Sequence, residues 1–306
     1  MPPKGNFPAV RPHGGGNFQT DPRHHVMKLS CTDFSFPLLE HDRALSVITL
    51  LGLRGVDIGL FEGHGHLKPS RELLKSEHHG AALKRRLASH GLKAADIFLQ
   101  IHAGFVEFAI NHPEAKRRDF AREQFRRALD YTHAAGSTHI TILPGVIFNG
   151  ESRAASIRRS ADELGWRVAL AQAAKLQLAV EPHVGSLIDT PEKALDLIKR
   201  VPGLGFTLDY AHFTRAGIPD ARIEPLTRFA THLHARAARP SRLQCPLKEN
   251  MIDFHRALAA LRKSKFAGWI ALEYVWIDWE HCNEVDIISE SIQLKNLLET
   301  AAGKIK

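Results

Sequence analysis

Cysteine is scarce in this chain, which has three among 306 residues. Cys31, Cys245 and Cys282 lie far apart, are odd in number and form no Cys-x-x-Cys pair. Small proteins held together by disulfides carry many regularly spaced cysteines, whereas proteins of reducing compartments keep few and leave them unpaired. The sequence therefore predicts free thiols and a cytoplasmic location.

Long hydrophobic runs are also missing. No apolar stretch approaches the roughly 18 residues that suggest a membrane-spanning helix, so the sequence argues against a membrane protein. The first 26 residues are rich in proline, glycine and histidine and lack the apolar core of a secretory signal. We predict a flexible basic N-terminal tail over 1–26 and one catalytic domain over 27–306.

Positive charge is in excess, since 41 lysines and arginines face 33 aspartates and glutamates and give a net charge of +8. Such an excess is typical of proteins that bind nucleic acids or anionic substrates. The basic clusters at 84–86, 116–118 and 158–159, however, all fall inside predicted helices. We interpret them as solvated outer helix faces and expect no nucleic-acid partner.

Short apolar runs alternate with longer helical runs from Lys28 onward. The apolar runs resemble parallel strands that are buried on both faces, because they do not alternate with polar residues. Eight βα units in about 250 residues predict an α/β fold with a single (β/α)8 TIM barrel, and a doubly wound sheet is the alternative. Gly136 and Pro191 lie where a helix ends and where one begins. The predicted strands are 28–36, 55–61, 94–100, 138–143, 178–180, 204–208, 230–233 and 269–272, and the predicted helices are 38–51, 70–90, 113–135, 152–175, 191–200, 223–229, 252–263 and 289–300.

Four consecutive predicted strands each end in a residue that can bind a metal. Glu181 follows the fifth strand and Asp209 the sixth, and His234 and Glu273 follow the seventh and eighth. Because TIM-barrel active sites lie at the carboxyl ends of the strands, we expect these side chains to meet. One acid at a strand end is as readily a helix cap or an ion pair, but four ligands in succession favour a site. Three carboxylates and one imidazole suit one divalent ion, Mn²⁺ first, then Mg²⁺ or Co²⁺, and are compatible with Zn²⁺.

The residues around these strand ends resemble the xylose-isomerase-like barrel superfamily of sugar phosphate isomerases and epimerases, which also includes apurinic endonucleases. The resemblance extends from Lys28 to about Ala302. It implies that the four strand-end residues bind one catalytic metal, that His212 contacts the substrate beside it, and that Arg236 holds a substrate hydroxyl or carboxylate. The motifs that carry it are Val180-Glu181-Pro182-His183, Leu208-Asp209-Tyr210-Ala211-His212, His232-Leu233-His234-Ala235-Arg236 and Leu272-Glu273-Tyr274.

Proton transfer at carbon is the chemistry that this arrangement favours. A metal that holds two adjacent sugar oxygens polarises the carbonyl and stabilises the enediolate left after proton removal. Glu181 and Glu273 lie on strands five and eight, so one would take the proton and the other return it from another side. We therefore predict an isomerase or epimerase of a sugar or keto-sugar. His183 lies two residues beyond Glu181 and is predicted to bind substrate, with a structural hydrogen bond as the alternative.

Loops after other strands add further candidates. His66 and His102 are predicted to bind substrate, although 19 histidines make chance placement common. Trp276 and Trp279 form either an apolar wall for a sugar ring or packing against the barrel. The long basic loop 239–250 would either close over a carboxylate or phosphate of the substrate or contact another subunit.

Three alternatives stay open at the level of sequence. A lyase, dehydratase or decarboxylase of an oxidised (3-oxo) sugar or glycoside would share the metal and the enediolate. An apurinic endonuclease would use three zinc ions and an Asp-x-His pair after strand seven, where this chain has Arg-Pro-Ser-Arg-Leu-Gln at 239–244. A non-catalytic barrel has no reason to keep four ligands. The resemblance also allows a homo-oligomer or a small partner subunit.

Overall fold

Eight parallel strands form a closed barrel in the computed structural model, which describes residues 27–304. Each strand pairs with the next along the chain, and the first pairs with the eighth. The predicted single (β/α)8 barrel is therefore confirmed, while the predicted tail over 1–26 lies outside the described residues. The strands are β1 Lys28–Thr32, β2 Gly55–Phe61, β3 Lys93–Gln100, β4 His139–Ile142, β5 Gln177–Val180, β6 Gly205–Asp209, β7 Ala230–Ala235 and β8 Trp269–Leu272.

Ten α-helices connect and follow these strands within residues 27–304. None of them is long and apolar enough to cross a membrane. The apolar side chains of strands and helices pack into one continuous core, and all three cysteines are free and buried, as predicted. The helices are α1 His41–Leu50, α2 Pro69–Glu72, α3 Ser76–Ser89, α4 Ala115–Ala135, α5 Arg153–Ala173, α6 Pro191–Arg200, α7 Tyr210–Arg215, α8 Asp220–Ile223, α9 Phe254–Lys263 and α10 Ile287–Lys304.

Local sequence signals set several helix ends. Helix α4 ends at Gly136, whose φ of 80° is the left-handed conformation that glycine adopts without strain. Helix α6 begins at Pro191, and the Thr190 side chain accepts a hydrogen bond from the Lys193 amide. Ser152 caps α5 in the same way. These positions agree with the boundaries predicted from sequence.

The predicted count of eight helices was wrong. The predicted helix 70–90 is divided, because a 3-10 turn at Leu73–Lys75 separates α2 from α3. The predicted helix 223–229 is mostly a 3-10 turn, Glu224–Phe229, which contains a proline in its first turn. Helix α7 was not predicted, and it begins where the Asp209 carboxylate accepts a hydrogen bond from the Ala211 amide.

Strand β1 is shorter than predicted, since it ends at Thr32 rather than at residue 36. A 3-10 turn follows at Asp33–Ser35. The Asp33 carboxylate accepts a hydrogen bond from the Gly59 amide at 2.8 Å. This contact ties the turn to β2 and takes the chain out of the strand direction.

The inside of the barrel is more polar than the predicted run of apolar strands. The hydroxyl of Thr141 lies 2.6 Å from that of Thr207 across the interior, and Ser30 donates a hydrogen bond to Asp57 at 2.8 Å. Buried polar groups are retained where they find such partners, because leaving them unpaired is costly. Apart from Asp209 and His234 at the strand ends, the buried polar side chains on the strands are Ser30, Thr32, Asp57, Asp96, His139, Thr141, Thr207 and His232.

Gly268, just before β8, packs closely against the backbone of β7, and this contact allows a prediction about stability. A Cβ added at Gly268 would lie 2.0 Å from the backbone oxygen of Thr231, whereas nothing lies within 4 Å of one added at Gly165 in α5. We expect Gly268→Ala to lower the free energy of unfolding by about 1–3 kcal/mol, because the backbone must shift. Gly165→Ala is the matched control, and we expect it to raise stability by about 0.5–1 kcal/mol through helix propensity. Chemical denaturation of both variants measures this, and equal effects would contradict it.

Candidate active site

The four strand-end residues meet at the carboxyl end of the barrel. Glu181 and Glu273 directly follow β5 and β8, Asp209 is the last residue of β6, and His234 lies near the end of β7. All four side chains are buried. Nδ1 of His234 lies 2.8 Å from Oε1 of Glu181 and 3.3 Å from Oε1 of Glu273. The fold thus gathers the predicted ligands into one cluster, as the sequence pattern led us to expect.

Arg236 joins two of the acids. Its Nη2 atom lies 2.6 Å from Oδ2 of Asp209 and 3.1 Å from Oε2 of Glu273, and the side chain is buried. Two carboxylates beside it raise the pKa of the guanidinium even though burial opposes this. Arg236 therefore stays charged and helps to hold the two acids in place.

His212 occupies the first turns of α7 beside the same acids. Its Nε2 lies 3.6 Å from Oδ2 of Asp209 and 4.0 Å from Oε2 of Glu181. Its Nδ1 accepts a hydrogen bond from the Val184 amide at 3.2 Å, and Nη2 of Arg236 lies 3.3 Å from its Nε2. Burial, and then the charge of Arg236, hold the pKa of His212 well below its usual value, so the ring is neutral.

The charge of the cluster fits a divalent cation. Three carboxylates against the single guanidinium of Arg236 leave two excess negative charges. Burial opposes protonation of His234, but Glu273, Asp57 and Glu181 raise its pKa well above the usual value, so its imidazolium offsets one of the two charges in the metal-free protein. Burial raises the pKa of Glu273 to about 8, although Arg236 and His234 act in the opposite direction. Burial likewise raises the pKa of Asp209. Protonation is the alternative way to remove the excess charge, and a divalent ion would remove it without protons.

The spacing of the donor atoms also fits a metal. Donors at about 2.0–2.2 Å from one ion lie roughly 2.8–3.5 Å from each other. The two separations from His234 to the glutamates are in that range. Suitable donor atoms of Glu181, His234 and Glu273 lie within 4.8 Å of one another, as do those of Glu181, Asp209 and His212. Glu181 belongs to both groups, so a single ion near Glu181 would lie close to the donor atoms of both groups.

A pocket of about 470 Å³ opens above the cluster. That volume is typical of small-molecule sites, which span roughly 300–1,000 Å³. Arg236 is the only lysine or arginine among the pocket-lining residues in the described part of the chain, and six of the lining residues are phenylalanine or tryptophan. Both tryptophans singled out in the sequence line it. The aromatic wall comprises Phe34, Phe61, Phe98, Phe105, Trp276 and Trp279.

The predicted substrate-binding histidines divide into two groups. His183 lines the pocket, donates from Nδ1 to the Val184 carbonyl at 2.7 Å, and has no hydrogen-bond partner at Nε2 within the described residues. His66 instead contacts the Asp33 carbonyl at 3.2 Å and stacks on another histidine. His102 accepts a hydrogen bond from the Gly104 amide and lines a smaller cavity that adjoins the pocket, since Phe105 and His183 line both. The structure thus brings His183 to the site and leaves His66 and His102 outside the pocket.

The loop 239–250 does not present its arginines to the pocket. Arg239 pairs with Glu249 at 3.0 Å and Arg242 with Glu284 at 2.8 Å, and neither lines the cavity. The loop supports the site indirectly through Gln244, which is buried. The Gln244 amide donates to the Val275 carbonyl at 2.9 Å and its oxygen accepts from the Val275 amide at 2.8 Å, so it fixes the segment that carries both tryptophans.

Sequence reasoning missed several residues around the cluster. Phe105 packs against His183 with the rings tilted and their centroids 4.8 Å apart, yet it belongs to a loop with no recognisable motif. Asp57 is buried in the middle of β2 and contacts His232 and His234. A charged residue inside an otherwise apolar strand is a signal for a buried polar contact, and Asp57 could have been singled out on that ground.

Comparison with known proteins agrees with this geometry. Residues 47–297 match the family model of the xylose isomerase-like TIM barrel. The chain belongs to this family. The matched range includes Glu181, Asp209, His234 and Glu273, and the family predicted from the motifs is confirmed. No curated protein matches the chain by sequence.

Solved structures of sugar epimerases share the fold of this family member. D-psicose 3-epimerase from Clostridium cellulolyticum H10, with D-tagatose, has a TM-score of 0.71 and 16% identity over 90% of this chain and 99% of that one. A structure of L-ribulose 3-epimerase has a TM-score of 0.72 and 16% identity over 91% and 97%. 3-Keto-D-glucoside 4-epimerase from E. coli has a TM-score of 0.65 and 16% identity over 90% and 100%. At these identities the likeness establishes the fold alone.

The raised pKa of Glu273 predicts how the stability of the metal-free protein changes with pH. The folded protein holds this proton up to about pH 8, whereas the ordinary pKa of a glutamate is 4.5. A carboxyl group whose pKa is raised on folding stabilises the protein below its unfolded pKa, and this contribution is lost as the pH rises through the folded value. We expect the free energy of unfolding, measured by denaturation with chelator, to fall between about pH 4.5 and 8.

Glu273→Gln is the control for this prediction. Glutamine stays neutral at every pH, so the variant should lose much of the fall in stability across that range. An identical pH dependence in both proteins would show that Glu273 is not the titrating group.

Proposed function

We propose that this protein is a divalent-metal-dependent isomerase or epimerase of an uncharged sugar or keto-sugar. The observation that supports it most directly is the pair of buried glutamates, Glu181 and Glu273, which converge on one imidazole at the floor of a pocket. Both glutamates line that pocket from different strands. Two acid–base groups and a cation site are what reversible proton transfer at carbon requires.

The proposed metal ligands are Glu181, Asp209, His234 and Glu273, with Mn²⁺ as the first choice and Mg²⁺, Co²⁺ or Zn²⁺ as alternatives. A divalent ion supplies Lewis-acid stabilisation of the negative charge that develops when a proton leaves carbon next to a carbonyl. In the proposed reaction Glu181 or Glu273 takes that proton and the other returns one. Return to the opposite face of the same carbon gives epimerisation, and return to the neighbouring carbon gives isomerisation.

Three further side chains would position the sugar. The neutral His212 lies beside Asp209 and Glu181 and would contact a substrate oxygen there. His183 Nε2 is buried, lines the pocket and has no hydrogen-bond partner within residues 27–304, so it is free to contact a hydroxyl. Arg236, already held by Asp209 and Glu273, would present its remaining guanidinium hydrogens.

The pocket wall favours a substrate without a phosphate group. Phosphate binding in proteins relies on arginine, lysine or exposed backbone amides. The described residues that line this pocket include a single guanidinium, and it is already paired with two carboxylates. Aromatic faces such as Trp276 and Trp279 suit the apolar faces of a sugar ring or an apolar substituent.

A lyase or dehydratase acting on a 3-oxo sugar or glycoside is the second candidate. It would use the same proton removal but expel a leaving group from the carbon next to the developing charge. The aromatic wall favours the lyase because it would accommodate an apolar leaving group. Product analysis distinguishes the two, because only the lyase releases a second molecule.

Metal content tests the ligand assignment. We expect the purified protein to bind about one equivalent of Mn²⁺, Mg²⁺ or Co²⁺ per chain, and His234→Ala to lose it, because the imidazole lies between two of the acids. Elemental analysis after reloading with each metal measures this. His66→Ala is the matched control, since His66 lies outside the pocket. About three zinc ions per chain would instead favour the endonuclease, and no binding would refute the metal site.

Activity in heavy water tests the acid–base assignment. With unphosphorylated keto-sugars in D₂O we expect one deuterium to enter the carbon next to the carbonyl as the epimer or isomer forms. Glu181→Gln and Glu273→Gln should each lower turnover by roughly 10²–10⁴-fold, since neither amide can transfer the proton. Metal content of each variant is measured in parallel, so that loss of the ion is separated from loss of the base. Unchanged turnover in both variants would refute the assignment.

A further inference from the structure

Asp57 lies beneath His234, on the side of the imidazole that faces away from the glutamates. Its Oδ2 is 3.4 Å from Nε2 of His234, while Nδ1 of the same ring points to Glu181 and Glu273. Nε2 of His234 is buried and makes no hydrogen bond to another described residue. Asp57 is therefore the carboxylate available to this nitrogen in the described part of the chain.

The position of Asp57 is itself fixed by neighbours inside the barrel. Ser30 donates to Oδ1 at 2.8 Å, and Nε2 of His232 lies 2.5 Å from Oδ2. The side chain is fully buried. The ring of His232 lies 5.2 Å from that of His139, which bonds to Asp96 at 2.7 Å and to Thr231 at 2.9 Å. A polar network thus supports the floor of the site from below.

Asp57, His232 and His234 could themselves be taken for a metal site, since their donor atoms lie close together. The 2.5 Å separation between Asp57 and His232 is a hydrogen-bond distance. It is shorter than the roughly 2.8 Å expected of two ligands on one ion. The contact is therefore a hydrogen bond that orients the carboxylate. Nδ1 of His234 then remains available to bind the proposed metal ion.

We propose that Asp57 is a positioning residue that holds His234 with its hydrogen on Nε2 and its Nδ1 directed at the metal ligands. Histidines that bind metals commonly donate their other ring hydrogen to a carboxylate, which fixes the tautomer and ring orientation and strengthens the ligand. The inference rests on the metal-dependent function proposed above. By this inference, a residue inside the barrel contributes to metal affinity in addition to the strand-end residues that would bind the ion.

The test compares Asp57→Ala with Asp96→Ala. Asp96 is the matched control because it is equally buried in the barrel and pairs with a histidine, His139, but does not contact His234. Mn²⁺ is titrated into each metal-free protein, and the dissociation constant and the metal-induced rise in Tm are measured. We expect Asp57→Ala to raise the dissociation constant by about 10–100-fold and to reduce the Tm rise. Asp96→Ala should stay within about twofold of wild type, even if the metal-free proteins lose similar stability.

Asp57→Asn keeps the shape of the side chain and decides the question if Asp57→Ala does not fold. We expect it to raise the dissociation constant by a smaller but measurable factor than full truncation, because the charge is lost and an oxygen acceptor is kept. Equal affinity in wild type and the Asp57 variants would overturn the positioning role and leave the proposed function standing. Failure of wild type itself to bind Mn²⁺, Mg²⁺, Co²⁺ or Zn²⁺ would overturn both.

Discussion

Burial of three carboxylates beside one guanidinium is the constraint on which the site depends. Two excess negative charges cannot stay in a buried cluster without protons or a cation, and the raised pKa of Glu273 expresses this. Arg236 neutralises part of the charge while bridging Asp209 and Glu273. The same feature that makes the metal-free cluster unfavourable makes it receptive to a divalent ion.

The barrel supplies the rigidity that such a cluster requires. The acids come from strands β5, β6 and β8, so their separations are set by backbone hydrogen bonds around a closed sheet. Below them, the interior contains Asp57, His232 and His139 in place of the branched apolar layers usual in TIM barrels. Asp57 and His232 bond to each other, and Oδ2 of Asp57 lies 3.4 Å from Nε2 of His234. This contact links the packing of the interior to the geometry of the proposed metal ligands.

The walls of the pocket come from segments that do not contribute ligands. Gln244, in the loop after β7, holds the backbone at Val275 and so positions the tryptophans beyond it. Phe105, from the loop after β3, packs against both His183 and Trp279. Within this family fold, such walls provide the means to select a substrate, because loops vary without disturbing the strand ends.

The barrel and the four strand-end residues, three acids and one imidazole, could be predicted from the sequence alone. Apolar runs that end in Glu181, Asp209, His234 and Glu273 specify both buried parallel strands and the edge at which their side chains meet. The 3-10 turns at Leu73–Lys75 and Glu224–Phe229 were not predicted, because the conformation of short turns depends more on tertiary contacts than on local propensity. The position of His183 at the pocket, with His66 and His102 outside it, could not be predicted from the sequence. The same holds for the contact between Asp57 and His234. Those contacts join residues far apart in the chain. The local spacing of residues along the sequence does not indicate which distant residues come into contact.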